Sequence, residues 1–306
     1  MKILVATEKP FAPVAVDGIR KVAVEAGADL VLLEKYTNRQ QLLDAVADAD
    51  ALIVRSDIVD KAIFDAARNL KIVVRAGAGY DNIDLASATA AGVCVMNTPG
   101  QNANAVAELV AGLLLYAVRN RFNGTSGTEL KGKTLGLLAF GNVGRNVARV
   151  AKGLGMDVYA YDAFCPKEAI EKDGVKAVDS PEELFRTCQV VSLHIPATDE
   201  TRNSINHSLL DLMPKGAILV NTARKEVINE HDLVEWLEQR TDARYLADIQ
   251  PACHEQLLEV CPERYFATPK KMGAQTAEAN INAGIAAAKQ IVDFIVNGNE
   301  RFRLNK

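Results

Sequence analysis

Short apolar runs rich in Val, Ile and Leu recur through the first hundred residues, at 3–6, 30–33, 52–54, 72–74 and 93–96. Apolar positions at helical spacing fill two of the intervals, 14–25 and 40–47. Runs that are apolar at every position belong to strands buried on both faces. Strands alternating with helices predict a parallel sheet covered on both sides. The pattern breaks at Pro99-Gly100. Residues 102–120 then form a helix apolar on most sides, which requires burial. A polar, glycine-rich stretch follows, and the alternation restarts with runs at 135–140, 158–161, 190–194, 217–221, 245–247 and 265–267. Helical patterns fall near 182–186, 208–213 and 230–238, and an alanine-rich helix over 276–296 is placed to return to the first half. The expected class is α/β. Two Rossmann-like or flavodoxin-like parallel-sheet domains are expected, one made of 1–98 with 275–306 and the other, 99–274, inserted into it.

The densest pattern is TLGLLAFGNVGRNVARVAKGLGMDVYAYD, from Thr134 to Asp162. It reads as strand, tight turn, helix with Val143, Val147, Val150 and Leu154 on one face, second strand, and acid. Gly141 lets a phosphate approach the backbone. The helix that opens there offers free N–H groups and the positive end of its dipole. An acid at the end of the second strand can bind both hydroxyls of an adenosine ribose, and Asp162 lies 18 positions after Gly144. The usual fingerprint begins with glycine; here Ala139 stands first, in A-F-G-N-V-G. A methyl fits there if φ stays negative.

Composition narrows the partners. The 306 residues carry a formal net charge of −4, without the basic excess that a nucleic-acid surface needs. Five scattered cysteines without a C-x-x-C pair fit a reducing cytosol and free thiols, and neither a disulfide framework nor a metal site is expected. The apolar start of MKILVATEKP is too short for a signal peptide. The longest apolar run, 109–118, falls below the roughly 18 residues that span a bilayer. A cytoplasmic protein that engages no membrane is expected.

Ligands of open parallel sheets bind beyond the carboxyl ends of the strands. The groups there are Arg55-Ser56, then Arg75 with Gly79, Asp81 and Asn82, then His194 and Pro196, Asn221 through Arg224, Asp248, and Thr268 through Gly273. Polar and cationic groups recur at strand ends in both halves.

At these positions the chain resembles the D-isomer-specific 2-hydroxyacid dehydrogenases over nearly its whole length. VRAGAGYDNIDLASATAAGVCVMNTPGQNANAVAELV is similar to the family's first-domain signature; VVSLHIPATDETRNSIN, LMPKGAILVNTAR and the TP-x-x-x-G segment are similar to later ones. VRSD with VRAGAGYDNID most resembles the D-3-phosphoglycerate dehydrogenases within it, shortened by the C-terminal regulatory domain of longer members. The resemblance implies an NAD-binding inserted domain, a substrate-binding domain, a homodimer, and oxidation of D-3-phosphoglycerate to 3-phosphohydroxypyruvate as the first step of serine biosynthesis.

Carried over, Arg224 matches the arginine that binds the substrate carboxylate and carbonyl. Its planar fork suits a 2-oxo acid as lysine would not. Gly79 offers a backbone N–H to the carboxylate. Arg55 and Arg75 face the phosphate, with Asn82 and Asn102 nearby. Gly141, Asn142 and Val143 match the pyrophosphate turn, and Asp162 favours NAD over NADP. His194, Pro196, Thr201, Thr222, Asp248 and Gly273 match positions lining the cofactor, with Asp248 on the nicotinamide carboxamide. His207 and His231 read as surface or capping residues.

Two departures stand out. The family's catalytic histidine follows Thr-Pro, where this chain has Lys270. The acid expected five places after Asp248 is Cys253, with Glu255 the nearest carboxylate. The losses are coherent. An imidazole needs a carboxylate to stay protonated and oriented, whereas lysine, ordinarily near 10.4, is already cationic. Lys270 is the expected proton donor, with an alkaline optimum for oxidation. Two other readings remain. A glyoxylate or hydroxypyruvate reductase would need no phosphate cations. A non-catalytic NAD-sensing scaffold, as in dehydrogenase-like corepressors, would leave Arg224 without a task.

Overall fold

Each of the short apolar runs read as a strand forms a parallel strand in the computed structural model, which describes residues 1–306. The chain divides into two units, Met1–Asn102 with Thr276–Lys306, and Ala103–Gln275. The first begins β1 (Lys2–Thr7), α1 (Pro13–Glu25), β2 (Asp29–Glu34), α2 (Arg39–Val46) and β3 (Ala51–Val54). It continues α3 (Lys61–Ala66), β4 (Ile72–Arg75), α4 (Leu85–Ala90) and β5 (Cys94–Asn97). Its sheet runs β2-β1-β3-β4-β5, so the order reverses between β1 and β3. Such a reversal opens a crevice at the carboxyl ends of the strands, where ligands collect.

The second unit begins α5 (Ala103–Val118), β6 (Thr134–Leu138), α6 (Asn142–Gly153), β7 (Asp157–Tyr161) and α7 (Lys167–Lys172). Then come β8 (Lys176–Ala177), α8 (Pro181–Thr187), β9 (Val190–Leu193), α9 (His207–Leu210) and β10 (Ile218–Asn221). It ends α10 (Glu230–Gln239), β11 (Arg244–Ala247), α11 (His254–Val260) and β12 (Tyr265–Ala267). The order is β12-β11-β10-β9-β6-β7-β8, and its reversal lies between β6 and β9. β8 was not legible as a run because it is a two-residue edge strand, Lys-Ala, with no apolar stretch. Strands β9 and β10 are buried at every position, as continuous apolar runs require.

Helix α12 (Ala277–Asn297) returns to the first unit. Thr276 caps its start by accepting the Ala279 N–H at 3.1 Å, and Gly298 ends it at φ 69°. The chain then covers the exposed edge of β5. Leu304 N–H donates to Val95 O at 2.8 Å, and the buried Asn305 amide accepts from Val95 N–H and donates to Val93 O, both at 2.8 Å. An unpaired strand edge invites aggregation, and this segment pairs it. Asn305→Ala leaves two buried backbone groups unmatched and is expected to cost the first unit about 1–3 kcal/mol. Urea unfolding of the variant measures this.

Candidate active site

The turn after β6 carries the first half of the site. Ala139 has φ 84°, correcting the expectation of a negative φ. This is the left-handed region where glycine is favoured and a Cβ crowds the following carbonyl. Ala139 therefore holds the conformation that the fingerprint's first glycine would hold, under strain. Ala139→Gly is expected to raise stability by about 1 kcal/mol, read as a higher urea midpoint. Gly144 is fixed by contact instead: a Cβ there would lie 2.4 Å from Ala139 O. Gly141, the cap of α6, is different again. A Cβ on it would meet nothing within 4 Å, so its open side is room for a ligand at the helix N-terminus.

Asp162 ties this turn to the loop after β7. Its Oδ2 accepts from Phe140 N–H at 2.7 Å, and its Oδ1 from Phe164 and Cys165 N–H, each at 2.8 Å. Burial alone would raise its pKa. The three backbone donors and Arg145 outweigh burial and hold it below the usual carboxylate range, so it is anionic at neutral pH. Arg145 stacks 4.7 Å from the Phe140 ring centroid, pairs with Asp173 and donates to Cys165 Sγ at 3.4 Å.

Across the reversal, His194 N–H donates to Leu138 O at 2.9 Å, which puts the histidine at the carboxyl end of β9 beside β6. Its Nε2 and the Thr222 hydroxyl are buried with no hydrogen-bond partner in the protein. Buried polar atoms are rarely left so; a polar ligand lying along the ends of β9 and β10 would satisfy both. Thr201 Oγ1 donates to Pro196 O at 2.5 Å and accepts from Thr198 N–H at 2.8 Å, which closes the loop after His194. Burial pushes the His194 imidazole down to about 4 from 6.5. Between these values the unfolded chain takes up a proton that the folded chain refuses. Stability therefore falls as pH drops from about 6.5 to about 4, by at most ~3 kcal/mol. Urea midpoints at pH 7.5 and 5 should show a smaller acid loss in His194→Gln than in the wild type.

The turn after β10 carries Arg224. The buried Asn221 amide donates to Arg224 O at 2.9 Å and accepts from Ala223 N–H at 3.0 Å, so the turn is held from inside. Arg224 Nη1 donates to Ala223 O at 3.1 Å, and Lys271 Nζ donates to the same oxygen at 3.2 Å. Asp248, also buried, organises the lysine loop. Its Oδ1 accepts from Thr268 Oγ1 at 3.0 Å and Met272 N–H at 2.8 Å, and its Oδ2 from Gly273 N–H at 2.8 Å. A Cβ on Gly273 would lie 2.7 Å from that Oδ2, so the carboxylate would have to shift to admit one. This anchoring role of Asp248 was not visible in the spacing. Lys270 and Lys271 are both exposed, and Lys271 Nζ reaches the Arg224 turn at Ala223 O. Cys253 is buried, its N–H donates to Glu230 at 2.8 Å, and burial pushes its thiol up to about 12. It cannot replace a carboxylate. Glu255 is exposed in the first turn of α11.

In the first unit, Arg55 and Arg75 end up side by side because Val54 pairs with Arg75 in the β3–β4 register. Arg75 Nε donates to Arg55 O at 2.9 Å. Arg55 Nη1 donates to Lys9 O at 2.9 Å and Pro10 O at 3.1 Å, and Nη2 to Asn280 Oδ1 at 2.7 Å. Asp57, missed in the sequence, is buried and accepts from Glu8 N–H and Tyr36 OH, both at 2.8 Å. Asn82 donates to Asp57 O at 2.7 Å and accepts from Val59 N–H at 2.9 Å. Asn82 thus joins the loops after β3 and β4. Gly79 and Asn102 are half-buried, in the loop after β4 and just before α5.

A separate cavity of 180 Å³ lies beside the starts of β11 and β12, away from these strand ends. Its arginines have structural partners. Arg244 donates to Ala117 O at the end of α5, Arg264 to Leu237 O and Arg240 O at the end of α10, and Arg121 to Pro262 O.

Residues 109–269 match the NAD binding domain of the D-isomer specific 2-hydroxyacid dehydrogenases. The chain belongs to that family. A D-3-phosphoglycerate dehydrogenase of Methanocaldococcus jannaschii is 38% identical over 270 residues, which cover 83% of this chain and 51% of that protein. A hydroxypyruvate reductase of Thermotoga maritima is 37% identical over 285 residues, 86% of this chain and 90% of that one. The chain thus spans about half the length of the archaeal phosphoglycerate dehydrogenases it matches, 51% and 57%. The crystal structure of NAD+-bound 3-phosphoglycerate dehydrogenase from Entamoeba histolytica superposes with a TM-score of 0.87 at 46% identity, covering 100% of this chain and 99% of the other. Two parallel-sheet α/β units are the fold of this family member, and no helix is long and apolar enough to cross a membrane.

Proposed function

We propose that this 2-hydroxyacid dehydrogenase oxidises D-3-phosphoglycerate to 3-phosphohydroxypyruvate with NAD, and catalyses the reverse, as the entry into serine biosynthesis. The observation that carries the reading is the Arg55–Arg75 pair, two cations on adjacent strand ends. A dianionic phosphate calls for such a pair; a small uncharged tail does not.

The site fits the cofactor. Asp162, the open side of Gly141 and the unsatisfied His194 and Thr222 atoms suit its ribose, pyrophosphate and nicotinamide parts in turn. Asn142, Val143, Pro196, Thr201, Asp248 and Gly273 line the same strand ends. When bound, NADH supplies the hydride. Arg224 grips the substrate carboxylate and polarises its carbonyl. Gly79 adds a backbone donor, and Asn82 and Asn102 shape the phosphate end. The proton for the carbonyl oxygen comes from the Lys270–Lys271 segment. A homodimer and a cytosolic setting complete the reading, supported by the largely apolar helix α5 and five free cysteines.

The Thermotoga match, which extends over 90% of that protein, favours hydroxypyruvate reduction as the second reading. NADH oxidation with 3-phosphohydroxypyruvate, hydroxypyruvate and glyoxylate separates the two. The phosphorylated substrate should be turned over with the highest kcat/KM. NADH binding with no turnover of any of them would leave the scaffold reading in its place.

A further inference from the structure

Resting on the reading that the arginine pair meets a phosphate, we propose that Asn280 is a specificity-determining residue: a neutral amide on α12 that positions Arg55 without cancelling its charge. Sequence distance hides the pair, since Asn280 lies 225 positions after Arg55. Helix α12 closes that distance by packing Ala283, Ala287 and Ile291 into one core with Ile53 and Val74 of the sheet. Its first turn then meets the residue that follows β3. Asn280 Oδ1 accepts from Arg55 Nη2 at 2.7 Å, while Asn280 Nδ2 donates to Thr276 O at 2.8 Å. The second bond decides which end of the amide faces the arginine. The nitrogen is taken by the carbonyl, and the oxygen is left for the guanidinium. Gly284, one turn further on the same face, contributes as well. A Cβ there would lie 3.0 Å from the Phe11 ring, and Arg55 stacks on that ring, 5.1 Å from its centroid. Helix α12 therefore holds Arg55 directly and through Phe11.

What the Arg55 side chain lacks is a carboxylate partner. It bonds Lys9 O, Pro10 O and Asn280 Oδ1, all of them neutral. Asp57 is close enough to favour the charge, but its Oδ1 is taken by Glu8 N–H and Tyr36 OH. Its Oδ2 reaches only the backbone N–H of Arg55, at 3.3 Å. Burial disfavours the cation and lowers its pKa. A cation half out of water and held by neutral acceptors has most to gain from an arriving anion. The positive end of the α12 dipole, beside it, acts in the same direction. Nε–H and the second Nη2–H make no bond within the protein and are left for phosphate oxygens. The competing account is that the amide merely ties α12 to the sheet. Aspartate at 280 separates the two, because it keeps a tie to Arg55 and cancels the charge.

The test follows NADH oxidation by the full chain with 3-phosphohydroxypyruvate and with hydroxypyruvate. It compares the wild type, Asn280→Asp and Asn280→Ala, with urea midpoints as the check on folding. Asn280→Asp should raise KM for the phosphorylated substrate by about thirtyfold or more, since a carboxylate on Arg55 repels the dianion. kcat with that substrate, and KM for hydroxypyruvate, should each change by less than about threefold. Asn280→Ala frees Arg55 but leaves its charge, and should raise the same KM by about three- to tenfold, the cost of ordering one long side chain. Inorganic phosphate should inhibit hydroxypyruvate reduction by the wild type, and about tenfold more weakly in Asn280→Asp. A preference for the phosphorylated substrate that stays within about threefold of wild type in Asn280→Asp would overturn the proposal. So would an equal loss on both substrates in both variants, which is what a merely structural amide would give. A wild type without preference for the phosphorylated substrate would instead remove the reading on which the proposal rests.

Discussion

Arg224→Lys should lower kcat/KM for a 2-oxo acid by two to four orders of magnitude while leaving NADH affinity unchanged. Guanidinium presents two parallel donors to a carboxylate and a neighbouring carbonyl oxygen; an ammonium presents a point charge. Losing one partner of such a charged, hydrogen-bonded pair costs roughly 2–5 kcal/mol, and about 1.4 kcal/mol is a factor of ten. The effect should stay local, because Asn221 also holds the turn: it bonds Arg224 O and Ala223 N–H. Steady-state kinetics beside an NADH titration would show it. A loss confined to KM, with kcat intact, would mean that Arg224 binds but does not polarise the carbonyl.

Gly144→Val and Gly141→Ala should both abolish NADH binding, for opposite reasons. A Cβ on Gly144 meets a backbone oxygen at 2.4 Å, and backbone cannot yield as a side-chain end can. The β6–α6 turn must open, so stability should fall by about 2–4 kcal/mol along with affinity. A Cβ on Gly141 meets no protein atom within 4 Å. That variant should melt close to wild type and fail to bind, because its methyl occupies the space a pyrophosphate needs. Thermal melts with and without NADH distinguish the two. Unimpaired NADH binding by Gly141→Ala would place the pyrophosphate elsewhere.

The fold was legible because parallel strands buried on both faces leave uninterrupted apolar runs. The two-residue edge strand Lys176–Ala177 leaves none. The β6–α6 turn and Asp162 stood out in the sequence because glycine at a close approach and an acid after a strand have few other uses. The arrangement of the lysine loop did not. Which of two adjacent lysines reaches Ala223 O in the Arg224 turn depends on loop backbone held by a carboxylate some 20 residues earlier, Asp248 on Thr268, and no local pattern encodes that. The roles of Asn221 and Asp57 were hidden for the same reason. Each bonds backbone groups that only the folded turns bring near. Ala139 shows the converse: the sequence marks the departure from glycine, and only the backbone shows that the φ of 84° is kept.

Whether the first unit's arginine pair selects a phosphorylated substrate is read from one ratio. It is kcat/KM for 3-phosphohydroxypyruvate over that for hydroxypyruvate, measured in the wild type and in Arg75→Gln. The wild type should favour the phosphorylated substrate by about a hundredfold or more. The variant should lose most of that preference, since a charged hydrogen bond is worth about 1.5–3 kcal/mol, and should keep its rate on hydroxypyruvate within about threefold. A wild-type preference for hydroxypyruvate, or a ratio unchanged by the substitution, would mean that the arginine pair does not select the phosphate.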